Sequence, residues 1–245
     1  MPGSEFRHFD RALAAIERFQ TTTSPRALID AVRDAAAAYG YRSFVIAAAP
    51  KLACNAFDKR VLLRHWPEAW FGQYLQDNYQ DHDPIAAHAR QQTRAFCWSD
   101  APWDRSDKKT AAVMDCAAHD YDMRRGFCVP IFGMRGYEAA ISFGGPEIDA
   151  SPAATAAMEL IAIYAMNQLM TMREPPARRQ TTLSPREREV VAWAAVGKTA
   201  WDTARILAIS TDTVNKHMAS AMRKLDACTK TQAVVESIRR GEIEL

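Results

Sequence analysis

Two adjacent prolines, Pro175 and Pro176, lie inside a polar, non-periodic run from Glu174 to Thr182. No helix or strand continues through such a run, because each proline lacks an N–H and pushes the residue before it towards extended backbone. The run at 174–182 therefore reads as a linker, and the chain must fold as two parts, 1–173 and 183–245. A chain of 245 residues with 48% apolar side chains can give each part a core.

The first part mixes helix and strand signals. Phe6 to Phe19 and Arg26 to Tyr39 have helical periodicity, the second behind a Ser24 N-cap and Pro25. Tyr41 to Ala48 and Arg60 to Arg64 are strand-like. Helix signals follow over Pro67 to Tyr79, Pro84 to Gln91 and Asp107 to Tyr121. Gly126 to Phe132 and Glu138 to Phe143 read as strands joined by the turn Gly133-Met134-Arg135-Gly136. Ser151-Pro152 opens a long helix to about Met172. This order predicts an antiparallel sheet flanked by helices, an α-β-α sandwich, within an α+β chain.

The second part predicts an all-α domain of four short helices. Ser184-Pro185-Arg186-Glu187 is a capping box, and Gly197 can end the helix it opens. Thr199, Ser210 and Thr229 can cap three more. Only Ala208 and Ile209 separate the second helix from the Ser210 cap, the short connection of a helix-turn-helix. Along the third helix Val214, Met218, Ala221 and Leu225 share one face. Asp212, Lys216, Ala219 and Arg223 lie opposite, with Asn215 beside them. Amphipathicity alone would also suit a small bundle with solvated charges. The caps, the short turn and the basic outer face favour a helix that reads double-stranded DNA.

Bulk properties exclude other classes. A formal charge of +2 leaves room only for a local nucleic-acid surface. The five cysteines include no C-x-x-C pair, which suits reduced thiols rather than a disulfide frame or a metal site. The opening segment carries charges throughout, and the most apolar stretch, Ala153 to Met170, holds Glu159, Asn167 and Gln168. A cytoplasmic protein without membrane contact is expected. Cys116 with His119, or Asp81-His82-Asp83, could be imagined as catalytic or metal groups, but such isolated sets are usually structural. No enzyme activity, cofactor or metal is expected. A phosphorylation-controlled receiver would need alternating strands and helices, which the first part lacks.

The second part also resembles a known family. Leu183 to Val191, Gly197-Lys198-Thr199, Ile206 to Ser210, Thr213-Val214, His217 and Lys224-Leu225 look like the LuxR-type helix-turn-helix. Val191 stands where leucine is usual, and Ala208 where the turn often has glycine. Trp201-Asp202-Thr203 replaces a more usual acidic-aliphatic stretch. The resemblance implies that Lys198, Thr199 and Lys224 contact phosphates and that Thr211, Asp212, Asn215, Lys216 and Ala219 lie nearest base edges. Arg223 belongs to the same face, and His217 suits packing or phosphate contact equally.

In the first part, Trp66 to Tyr74, Asp83-Pro84, Trp98 and Gly126 gather aromatics around one carboxylate. Core packing and a helix N-cap at Asp83 would explain these residues without a ligand. The pattern nevertheless resembles the autoinducer-binding domain of LuxR-type quorum-sensing receptors, which bind N-acyl-homoserine lactones. That resemblance implies a Trp70 indole N–H to the lactone carbonyl, Asp83 accepting the amide N–H, and Ser142 donating to the acyl carbonyl. Tyr74 and Trp98 would wall the pocket, and Gly126 would serve backbone geometry. Trp66 stands where several relatives carry tyrosine, so it is expected to reshape the acyl end. The family further implies a homodimer on an inverted repeat, with RNA polymerase as a candidate partner. A regulator of the same type sensing a different small molecule is the alternative.

Overall fold

The computed structural model describes residues 3–50, 56–133, 136–173 and 182–244, without the side chains of residues 3–6. Of the expected linker only Thr182 falls within them, and the tip of the expected hairpin, Met134-Arg135, falls outside. The chain divides into two compact units, Met1–Pro175 and Pro176–Leu245.

The first unit opens with α1 (Gly3–Thr21) and α2 (Pro25–Ala37), followed by β1 (Ser43–Ala48), α3 (Phe57–Arg60) and β2 (Val61–His65). Next come α4 (Glu68–Gln76), α5 (Pro84–Ala89), β3 (Phe96–Cys97) and α6 (Lys108–His119). The long hairpin strands β4 (Arg125–Gly133) and β5 (Gly136–Gly145) precede α7 (Pro152–Arg173). The punctuation works as the residues suggest: Ser24 Oγ accepts the Ala27 N–H at 3.3 Å and Pro25 occupies the first turn of α2. Two short pieces carry no periodic signal in the sequence. The two residues of β3 are too few to show a period, and the four of α3 make one turn just ahead of β2.

The five strands form one antiparallel sheet in the order β2-β1-β5-β4-β3. Side-chain alternation splits its faces. Phe44, Ile46, Val129, Ile141 and Phe143 join a core with α1, α2 and α7. Val45, Cys128 and Ser142 are paired side by side across three strands and point the other way, towards α3 to α6. Ile141 and Phe143 are fully buried, each stabilising the sandwich by about 1.5–3 kcal/mol. A slip of one residue would turn Ser142 into the core with α1, α2 and α7, so the core on one face fixes the polar group on the other.

The second unit holds α8 (Pro185–Ala195), α9 (Ala200–Leu207), α10 (Thr211–Leu225) and α11 (Lys230–Arg239). Ser184, Thr199, Ser210 and Thr229 each accept a backbone N–H from the first turn. Ala208 takes left-handed backbone at φ 54° and ψ 45°, and the Ile209 N–H reaches back to the Ala204 carbonyl at 3.0 Å. The turn thus keeps the shape that glycine would give it, at a cost of about 1–2 kcal/mol for the Cβ. Val190, Val191, Val214, Met218, Ala221 and Leu225 form its core. No described helix is long and apolar enough to cross a membrane.

Candidate functional site

The cavity-facing side of the sheet and the helices α3 to α6 enclose a slim cavity of about 80 Å³, several times the space one water needs. All six residues expected to meet a ligand, Trp66, Trp70, Tyr74, Asp83, Trp98 and Ser142, line it. They come from α4, α5's cap, the turn after β3, β5 and the segment before α4, so only the tertiary fold brings them together.

Four of them are held in pairs by hydrogen bonds, and the Trp70 indole is not. Asp83 caps α5: its Oδ1 accepts the Ile85 and Ala86 N–H groups at 2.8 and 3.1 Å. Its Oδ2 accepts the Tyr74 hydroxyl at 2.8 Å. A carboxylate offers about four acceptor positions, so one remains on the cavity side. Burial pushes the Asp83 carboxyl up, against the pull of Tyr74 and the two backbone N–H groups. The helix-cap reading and the ligand reading of Asp83 are therefore compatible. Tyr74, expected as a wall, also orients this carboxylate.

Trp98 Nε1 donates to Ser142 Oγ at 3.0 Å. With that oxygen already accepting, the Ser142 hydroxyl is left to donate its proton elsewhere. Gly126, expected to serve backbone geometry, lies outside the positive-φ positions. Its role is space: a Cβ there would come within 2.1 Å of Trp98 Cε2. Trp70 is 3% exposed, and its Nε1 is buried with no acceptor. Trp66 stacks on Phe57 at 6.1 Å and tilts against Tyr74 at 5.2 Å, narrowing the cavity where a smaller ring would leave room.

The fold adds cavity residues that the sequence did not single out, among them Arg60, Gln80, Arg90 and Tyr137. Arg60 ends α3 beside β2 and Tyr137 begins β5, and nothing in either local sequence signals a pocket. The imagined catalytic pair does not assemble. Cys116 donates to Gln73 Oε1 at 3.4 Å, and burial, with Asp120 beside it, pushes its thiol up to about 11. His119 Nδ1 lies against the Asp115 carbonyl at 2.9 Å. Among the described residues no cluster of His, Cys, Asp or Glu could hold a metal.

In the second unit α10 presents Thr211, Asp212, Asn215, Lys216, Ala219, Arg223 and Lys224 to solvent, while His217 is half-buried. Lys198 and Thr199 are exposed at the start of α9, where Thr199 also forms a capping box with Asp202. Two of the cations have partners. Lys216 Nζ lies 2.8 Å from Asp212, and Lys224 Nζ lies 2.7 Å from the buried Glu187. Burial alone would push Glu187 up, but Lys224, the Ser184 N–H and Ser220 hold it down at about 2.

Comparison with known proteins matches both units. The family model described as an autoinducer binding domain matches residues 24–169, and that of bacterial regulatory proteins of the luxR family matches 181–237. The transcriptional activator protein BjaR1 of Bradyrhizobium diazoefficiens is 39% identical over 211 residues, covering 86% of this chain and 87% of its own length. The quorum sensing-dependent regulator RpaR of Rhodopseudomonas palustris is 36% identical over 235 residues, covering 96% of each chain. A crystal structure of Escherichia coli SdiA shares the fold with a TM-score of 0.73 at 22% identity, covering 97% of this chain and 99% of its own.

Proposed function

Because the chain belongs to the luxR family of quorum-sensing transcriptional regulators, with an autoinducer-binding domain ahead of its helix-turn-helix domain, we propose that its cavity binds an N-acyl-homoserine lactone and that the chain acts as a dimer on an inverted-repeat promoter site. The observation that carries the lactone is the buried, unpartnered Trp70 Nε1 in one cavity with Asp83 and Ser142. The lactone carbonyl accepts from Trp70, the amide N–H donates to the free position on Asp83, and the acyl carbonyl accepts from Ser142. Each partner is one the ligand needs once water is excluded. Tyr74 and Trp98 position Asp83 and Ser142 through the hydrogen bonds described above. Trp66 shortens or flattens the acyl space, so Trp66→Tyr shifts the acyl preference.

Exposed apolar side chains on two packed helices support the dimer. Phe9 and Leu13 on α1, and Ile163, Tyr164 and Met170 on α7, are each at least 36% exposed, a surface suited to a second copy. Two copies would set two α10 helices about one DNA turn apart. Lys198, Thr199 and Lys224 then meet phosphates, and Thr211, Asp212, Asn215, Lys216, Ala219 and Arg223 face the groove. The test is mass spectrometry of the small molecule retained by the full chain when it is produced with a panel of lactones, alongside Asp83→Asn. That variant keeps the cap oxygen but loses the acceptor, so its lactone response should collapse; a normal dose response overturns the assignment.

A further inference from the structure

The proposed lactone, amide and acyl-carbonyl partners leave one polar end of the cavity unused. Arg60 Nη1 donates to the Ala48 carbonyl at 3.2 Å, and its guanidinium carbon sits 5.3 Å from the centre of the Phe57 ring. These contacts fix the planar group against the cavity wall, yet its Nε–H is buried with no acceptor. Among the described residues no carboxylate forms an ion pair with Arg60. The carboxylate on the same wall, Asp83, is held by Tyr74 and the first turn of α5. Burial pulls the Arg60 pKa down, with the Arg90 cation adding to that pull and Tyr74, Tyr137 and Asp81 opposing it. Gln80, also on the cavity wall, has a buried Oε1 without a donor. Its amide can turn to offer either oxygen or nitrogen. The rest of this wall is largely small and apolar, including Ala47, Ala86, Ala89 and Ala140.

The register gives the position of this group. Ala48 pairs with Ala139 across the sheet, three residues from Ser142 along β5, or about 10 Å. Trp70 lies the other way, against Tyr121 at 5.2 Å. Tyr121 comes just ahead of Asp122, which pairs with Arg42, and Arg125, which pairs with Gly145 at the opposite end of β5. A ligand with its lactone at Trp70 and its acyl carbonyl at Ser142 therefore sends the acyl tail towards Arg60. A pure hydrocarbon tail would cover this donor and leave it unsatisfied, which costs more for a charged group than for a neutral one.

We propose that the ligand's acyl group carries an oxygen near its far end that accepts a hydrogen bond from Arg60, making Arg60 a residue that selects the acyl group. The proposal rests on the lactone reading given above. The chemical class is an acyl-homoserine lactone with a terminal hydroxyl, carbonyl or carboxylate oxygen rather than a plain alkyl chain.

The test compares matched pairs: butanoyl, hexanoyl and octanoyl lactones, each with its ω-hydroxy counterpart, titrated calorimetrically into the full chain and into Arg60→Met. At the length that reaches Arg60, the ω-hydroxy lactone should bind the native chain about tenfold or more tightly than its parent. Arg60→Met keeps the apolar stem, so it should erase that preference by weakening only the hydroxylated ligand. If Arg60→Met does not fold, Arg60→Lys serves, since it keeps the charge and removes the fixed Nε–H. Equal affinity within every pair on the native chain overturns the role of Arg60 while leaving the lactone reading intact. Failure of every lactone to bind overturns both.

Discussion

In the first unit Trp70 Nε1 and Arg60 Nε are buried without acceptors, whereas on α10 of the second unit Lys216 and Lys224 already hold carboxylates. The cavity is thus a polar network that the protein's own side chains do not complete. On α10 two cations are already paired. Lys216 and Lys224 sit on neutralising partners, so the proposed phosphate contacts would share or displace those pairs. On the proposed function, one unit would gain stability from its ligand and the other would give up intramolecular contacts to bind DNA. If the proposed dimer forms, a second copy would offset that cost for a modestly charged helix-turn-helix.

The largest expected effect separates the two units by ligand response. Saturating lactone, at about a thousandfold excess over Kd, should stabilise the first unit by about 4 kcal/mol. Scanning calorimetry of the full chain should show the transition of the first unit moving while that of the second stays put; a shift shared equally by both would break the comparison. Next, Trp70→Phe removes the orphan donor. It should weaken lactone binding by roughly ten- to a hundredfold, a loss of about 1–3 kcal/mol, while the ligand-free protein still folds with a modest loss of packing. Titration and thermal melts of the same variant read both outcomes.

A smaller effect belongs to Glu187. Its folded pKa of about 2 lies below the usual 4.5, so its contribution is fully present above pH 4.5 and is lost as pH falls towards 2. Lys224 is 41% exposed, and solvent screening reduces the contribution to about 1–2 kcal/mol. Acid melts of the second unit should therefore steepen through that window, and Glu187→Gln should flatten them. Least in size is Asp212→Ala. It frees Lys216, so DNA should bind more tightly, with a salt dependence steeper by about one unit of slope. Binding measured across a salt series checks this, and an unchanged slope would show that the pair does not restrain Lys216.

Much of the architecture was legible because its signals are local. Ser184, Thr199, Ser210 and Thr229 act as caps where the sequence put them, since a cap needs only a hydroxyl and the N–H groups of the next turn. The Val214, Met218, Ala221 and Leu225 stripe is buried as its spacing requires. Other assignments depended on neighbours distant in sequence. Gly126 gives room to an indole from another element, and Lys224 finds Glu187 from α8. No window around either residue contains its partner.

The sequence by itself therefore determined the two-part chain, the α+β class of the first part, the helix-turn-helix of the second, and the residue types that a lactone would need. Tertiary structure alone decided which of those residues arrive satisfied. Sheet parity turned Ser142 away from Ile141 and Phe143 and towards Trp98, and the fold brought Tyr74 of α4 to the carboxylate that caps α5. The same packing left Trp70 and Arg60 without acceptors. Periodicity and capping are encoded within one turn or one strand, but hydrogen-bond satisfaction depends on atoms brought together from across the chain.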